Sequence, residues 1–126
     1  MKRINSIKAL KEIIGSKGKT LYVRWSRGFA MDSKQGESRD YLNGGTHSGL
    51  SAVEINPEWA EDDKWMARRI TEYRFLKMKD SLIGCHIYSG REIGKDSDGY
   101  ESIDGIEHIA TLSTALIEKL LEIKNL

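Results

Sequence analysis

Cysteine and long apolar runs are scarce in this chain, and each absence sets a limit. The single cysteine, Cys85, excludes an internal disulfide bond and is typical of a protein in a reducing compartment. No apolar run approaches the ~20 residues that a membrane-spanning helix needs. The segment MKRINSIKALKEIIG lacks the apolar core of a signal peptide. We therefore expect a cytoplasmic protein without a membrane partner.

The chain also lacks an excess of charge of either sign. Its 20 lysines and arginines stand against 19 aspartates and glutamates, which gives a formal net charge of +1. This balance argues against duplex DNA as a partner, because nucleic-acid binding depends on concentrated positive charge. Three arginines of the main predicted helix leave a nucleic-acid partner open as an alternative: Arg68, Arg69 and Arg74.

Side chains that bind metals are few. The histidines and the cysteine are His47, Cys85, His86 and His108, and no pair of them has the spacing of a zinc site. Cys85 and His86 are adjacent in a predicted strand, so their side chains point to opposite faces. The run DSDGYE lacks the later ligands of a calcium loop. We expect neither a metal nor a cofactor.

Periodicity of the apolar residues predicts the fold. Helical spacing predicts three helices, at about 6–15, from Asn56-Pro57 onward, and after Ser113. The second helix has a predicted apolar face of Trp65, Met66, Ile70, Tyr73 and Leu76. Five strands are predicted in TLYVRWSR, LSAVEI, the run around Ile83 to Ile87, Tyr100 to Ile103, and IEHIATL. The order α-β-β-α-β-β-β-α indicates a single α+β domain, residues 1–126, with a mainly antiparallel sheet.

The stretch LYVRWSRG carries unusual polar chemistry for a strand. Leu21, Val23 and Trp25 predict a core face, and the opposite face presents Tyr22, Arg24 and Ser26. An arginine there has the geometry to hold a phosphate or carboxylate through two parallel hydrogen bonds. The alternative is a surface arginine paired with an acid such as Asp32, Glu37 or Asp40.

Residues 28–49 are predicted to form a long polar loop. Loops above about 12–15 residues are uncommon in small domains and are often functional. This loop contains Arg39, Asp40, Tyr41 and His47. We predict that residues 32–48 lie on the surface, partly over the Arg24 side of the first strand, with Arg39 or Tyr41 in contact with it.

Several motifs resemble a bacterial family of small proteins of unknown function. They are LYVRWSRG, SRDYLNGG, GLSA and NPEW, followed by GREIGKDSDGYESI and IATLSTALIE, and they cover most of residues 20–118. The resemblance implies a single-domain intracellular protein. It implies no activity and no catalytic residue.

A second resemblance is to the ADP-ribosyltransferase-like fold. That class places an arginine on an early strand, a serine motif on the next strand and a catalytic glutamate on a late strand. Arg24, Ser51 and Glu101 occupy similar places here, but the Ser-Thr-Ser motif and a late Glu-x-Glu are absent. As an analogy of fold alone, the resemblance implies a nicotinamide dinucleotide as substrate.

We expect a binding module rather than an enzyme, because no pair of titratable groups with distinct catalytic roles stands out. The expected ligand is a nucleotide-like anionic small molecule or a protein partner. The predicted site comprises Tyr22, Arg24, Ser26, Arg39, Asp40, Tyr41, His47 and Ser51. Two alternatives stay open: the transferase-like enzyme, and a homo-oligomer anchored by the exposed aromatic residues Phe29, Tyr41 and Trp59.

Overall fold

The helices and strands follow one another in a mixed order. A computed structural model of the chain describes residues 2–16, 18–26, 38–40, 45–47, 49–73, 84–95 and 99–126, with the backbone alone at 38–40 and 45–47. The elements are β1 (Arg3–Ile4), α1 (Ile7–Gly15), β2 (Leu21–Ser26), β3 (Ser38–Asp40), β4 (Gly45–His47), β5 (Leu50–Ile55), a 3₁₀ helix (Pro57–Glu61), α2 (Asp63–Glu72), β6 (Gly84–Lys95), β7 (Glu101–Leu112) and α3 (Thr114–Lys124). None of the helices in these ranges is long and apolar enough to cross a membrane.

Serine caps start the first and last helices. The Ser6 hydroxyl accepts a hydrogen bond from the N–H of Ala9, 3.1 Å away, and Ser113 does the same for Leu116. Such caps satisfy backbone donors that the first turn of a helix leaves without partners. The predicted first and third helices are therefore confirmed.

The predicted second helix is divided in two. Asn56 caps the 3₁₀ helix, and Asp62 then caps α2 by accepting from the N–H groups of Lys64 and Trp65. Asp62 itself has an extended backbone, so the helix cannot run through it. This break determines which of the two tryptophans, Trp59 and Trp65, is buried. Trp59 is 4% exposed and Trp65 is 46% exposed, so the expectations of an exposed Trp59 and a buried Trp65 are both wrong.

The main sheet closes on itself. Its strand order is β1-β7-β5-β2-β6, and β6 also pairs with β7. Every pairing is antiparallel except that of β1 with β7. The predicted single α+β domain with a mainly antiparallel sheet is therefore confirmed. β3 and β4 form a separate antiparallel pair within the segment that the sequence predicts as a loop.

The last two predicted strands are one long strand, β7. It pairs with β6 along most of its length, with register shifts after Ile87, Ser89 and Glu92. Gly105 has a φ of 56°, a conformation that glycine adopts without steric cost. Bulges and glycines of this kind let a long strand pair bend without a break.

Both faces of β2 contribute to apolar clusters. Leu21, Val23 and Trp25 belong to the main cluster with the helices, and the Trp25 indole N–H donates to the carbonyl of Ile70 over 3.0 Å. The opposite face holds a smaller cluster of Tyr22, Leu50, Ala52, Tyr88 and Ile103. The face that the sequence predicts as polar is therefore partly a second core.

Candidate functional site

Arg24 belongs to a line of side chains that crosses four strands. Arg24 on β2 is paired with His86 on β6, His86 with Thr111 on β7, and Thr111 with Arg3 on β1. Residues that are directly paired in a sheet point to the same face. We call these four residues the Arg24 row. It lies on the face opposite the helices.

A hydrogen-bonded chain joins two histidines within this row. His86 Nδ1 lies 2.9 Å from Thr111 Oγ1, which lies 3.0 Å from His108 Nε2. The ring centroids of His86 and His108 are 5.6 Å apart, and Tyr88 packs against His108 edge-on. A threonine hydroxyl has one proton, so with two neutral imidazoles it donates to one ring and accepts from the other.

The Arg24 guanidinium has a structural contact. Its Nη1 donates to the backbone carbonyl of Ser51 on β5 over 2.7 Å, in a partly buried position. The structure thus brings two predicted site residues together, through the Ser51 carbonyl rather than its hydroxyl. Because arginine stays charged at every pH of interest, the bond fixes a positive charge on this face.

Burial and neighbouring groups keep the imidazoles of the row neutral. Burial lowers the pKa of His86 to about 4, and the neighbouring His108, Arg24 and Arg3 lower it as well, while a hydrogen bond to the Ser26 backbone acts the other way. Burial also lowers the pKa of His108. Both imidazoles are therefore neutral at pH 7, and the guanidinium groups carry the charge of the row.

The Tyr22 end of the same face has the opposite character. Tyr22 is 2% exposed, and its hydroxyl donates to Glu92 over 3.3 Å. Carboxylate oxygens of Glu54, Glu92 and Glu101 lie within 4.8 Å of one another. Burial first, and then Glu92, raise the pKa of Tyr22 to about 12. Tyr22 is thus buried beside acids, and its role as a ligand-binding residue stays a prediction.

The remaining predicted site residues are placed only in part. Ser26 ends β2 opposite Gly84 and is partly exposed. The backbones of Arg39, Asp40 and His47 belong to the β3–β4 pair. Their side chains, and Tyr41 entirely, lie outside the described residues. The position of residues 32–48 over the Arg24 face stays a prediction.

Sequence reasoning named Arg24 as a site residue and missed the other three residues of the row. Arg3 lies in a two-residue strand without an apolar pattern of its own, and Thr111 follows an ordinary strand run. His86 and His108 were considered only as metal ligands. The sequence did contain one signal. His86 lies two residues before Tyr88 on β6, as Arg24 lies two residues after Tyr22 on β2, and residues two apart on a strand point to the same face.

Comparison with known proteins identifies a family. A search of the curated proteins and a search of the solved structures find no match to the chain. The model of the family described as "Family of unknown function (DUF6098)" matches residues 1–123. This match confirms the resemblance to a family of unknown function that the motifs indicate. The chain therefore belongs to the DUF6098 family.

Proposed function

We propose that this domain is a binding module for small anions and that the Arg24 row is its site. One observation carries the proposal: two guanidinium groups, on β2 and β1, flank an imidazole and a hydroxyl in a single line across the sheet. The row contains no carboxylate. A line with two fixed cations and several hydrogen-bond donors is suited to a phosphate or a carboxylate group.

The two imidazoles support this proposal. They are neutral because burial and the nearby cations disfavour further positive charge. An anion in the row would reverse that field and would raise the pKa of both histidines. Protonated imidazoles carry N–H donors on both ring nitrogens, so the site gains donors as the anion binds.

Calorimetric titration of the whole protein with inorganic phosphate, AMP and acetate tests the proposal. We expect saturable binding that Arg24→Lys weakens by about tenfold, because lysine keeps the charge but loses the planar fork. Arg3→Ala removes an exposed cation of the row and should weaken binding by about threefold or more. Lys119→Ala removes an exposed cation from α3 and serves as the matched control.

Two outcomes would contradict this function. One is the absence of saturable binding with all of these anions. The other is an equal loss of affinity in Lys119→Ala and Arg3→Ala, which would mean that binding responds to the overall charge alone. A melting curve for each variant shows whether it is folded at the temperature of the titration.

A transferase-like enzyme is the second candidate, and the strand order favours it. Arg24, Ser51 and Glu101 lie on β2, β5 and β7, which are successive neighbours in the sheet. The chain order of the three residues is the one that the ADP-ribosyltransferase-like resemblance implies. Arg24 and Glu101 share one face of the sheet, whereas the Ser51 side chain points to the other face. Incubation with a labelled nicotinamide dinucleotide and a cell extract tests it. Label transfer that is lost in Glu101→Gln supports the enzyme, and the absence of both transfer and dinucleotide binding rejects it.

A further inference from the structure

A pocket lies at the edge of α2, and none of the residues that line it belongs to the Arg24 row. Its volume is about 350 Å³, and its walls are Glu54, Asn56, Glu58, Trp59, Trp65 and Arg69. We call it the Trp65 pocket. Trp65 is 46% exposed, and it lines this concave surface. Exposed tryptophans in such positions are frequent anchors for partners.

Arg69 orders the aromatic side of this pocket. Its guanidinium carbon lies 5.3 Å from the ring centroid of Trp59, 5.7 Å from that of Trp65 and 5.6 Å from that of Tyr73. Its terminal nitrogens donate to Glu72 over 3.1 Å and to the Tyr73 hydroxyl over 2.9 Å. These contacts hold the Trp65 ring in place, and Glu72 balances the charge of Arg69.

The other walls of the pocket are acidic. Glu54 and Glu58 line it, and Glu54 also lies beside the carboxylates of Glu92 and Glu101. The pKa of Glu54 is raised by partial burial and then by Glu92 and Glu101, while Lys95 acts the other way. A concave surface that joins an exposed indole to surplus negative charge is complementary to a cation.

We propose that the Trp65 pocket binds an arginine side chain from a basic segment of a protein partner. Its guanidinium would stack on the exposed part of the Trp65 ring and donate paired hydrogen bonds to Glu54 or Glu58. Tryptophan is the best aromatic partner for a cation. Arginine fits better than lysine, because a planar fork satisfies stacking and carboxylate contacts together. This site does not depend on the anion site.

Titration with short peptides tests this site in the whole protein. The probe is the capped peptide Gly-Arg-Gly-Arg-Gly, and the readout is the indole N–H signal of Trp65 in proton–nitrogen spectra, assigned with Trp65→Phe. We expect saturable shifts at peptide concentrations up to about 10 mM, as for a weak single-anchor contact. The same peptide with citrulline in place of arginine is neutral and nearly isosteric, and it should not bind.

Matched variants locate the binding. We expect the affinity for the arginine peptide to fall by about fivefold or more in each of three variants: Trp65→Ala, Glu54→Gln and Glu58→Gln. The control is Glu118→Gln, at an exposed acid on α3, which should change the affinity by less than about twofold. Because three independent variants are used, the test survives the misfolding of one of them.

Four results would overturn the proposal. They are equal binding of the citrulline peptide, unchanged affinity in folded Trp65→Ala, no saturable shift, and equal weakening in Glu118→Gln. Two further experiments repeat the measurement with added calcium chloride and with diluted protein. A calcium site that is independent of Trp65 and competes with the peptide would reassign the carboxylates to a metal. Loss of the Trp65 shift on dilution would reassign the pocket to a second copy of the chain.

Discussion

The guanidinium of Arg24 donates to the backbone carbonyl of Ser51 across the boundary between β2 and β5, over 2.7 Å. Arg24, the side chain best suited to bind an anion, thus also joins two strands through a hydrogen bond. A hydrogen bond from a charged group in a partly buried place contributes more than an ordinary one. Stability and binding therefore have to be measured separately at this position.

Arg24→Ala should lower the free energy of unfolding by about 1.5–3 kcal/mol, because the charge-assisted bond to Ser51 is lost. Urea unfolding measures the change. Arg68→Ala, at an exposed position on α2, is the control and should stay within about 0.5 kcal/mol of wild type. If Arg24→Ala lowers the free energy of unfolding no more than Arg68→Ala does, the hydrogen bond to Ser51 does not stabilise the fold.

Acid should destabilise the fold through His86. The pKa of His86 is lowered from 6.5 to about 4 in the folded protein. Between these values the unfolded chain binds a proton that the folded chain does not, so stability falls as the pH falls from about 6.5 to about 4. The contribution reaches roughly 3 kcal/mol at the low end. Above pH 6.5 this loss of stability is absent.

Urea unfolding of wild type and His86→Gln at several pH values between 7 and 4 measures this term. The wild type should lose roughly 3 kcal/mol more than the variant over that range, whatever their difference at pH 7. Carboxylates titrate in both proteins and cancel in the comparison. Parallel losses in the two proteins would mean that His86 contributes nothing to acid sensitivity.

Thr111→Val should cost about 1–3 kcal/mol of stability, since it removes the hydroxyl between the buried His86 and the partly buried His108, and both ring nitrogens lose that partner. Thr71→Val is the same change at another buried threonine. The Thr71 hydroxyl donates to the Ala67 carbonyl over 2.7 Å within α2, and the loss of such a back-bond costs about 1 kcal/mol or less. Thermal unfolding of both variants measures the two losses of stability. A larger loss for Thr71→Val than for Thr111→Val would contradict the prediction.

Two glycines should respond to alanine with opposite signs. Gly49 precedes β5 with a φ of 152°, and a Cβ there would lie 2.3 Å from Ser102 Oγ. Gly49→Ala should therefore destabilise by about 1–3 kcal/mol. Gly15 ends α1, and among the described residues a Cβ there meets only Ala60, at 3.9 Å, so Gly15→Ala should stabilise by about 0.5 kcal/mol. Denaturant midpoints measure both changes. An unchanged midpoint for Gly49→Ala would show that the backbone at Gly49 shifts to accommodate the added methyl group at no cost in stability.

Local patterns determined the helices and the core face of β2. Ser6 and Ser113 have the side chains that cap helices, and regularly spaced leucines and isoleucines follow each. The alternation of Leu21, Val23 and Trp25 was sufficient to predict the larger apolar cluster. These features could be predicted because each depends on residues within a few positions of one another.

The tertiary structure decided which polar residues meet. His86 and His108 converge on Thr111 because a register shift after Ile87 pairs Tyr88 with His108 while Ile87 is paired with Ala110. Nothing local to β6 or β7 specifies that shift. Likewise, Asp62 rather than Asn56 caps α2, and the helix that starts at Asp63 leaves Trp65 exposed and Trp59 buried. Strand register and the choice between competing caps depend on the packing of the whole chain, which no short stretch of sequence contains.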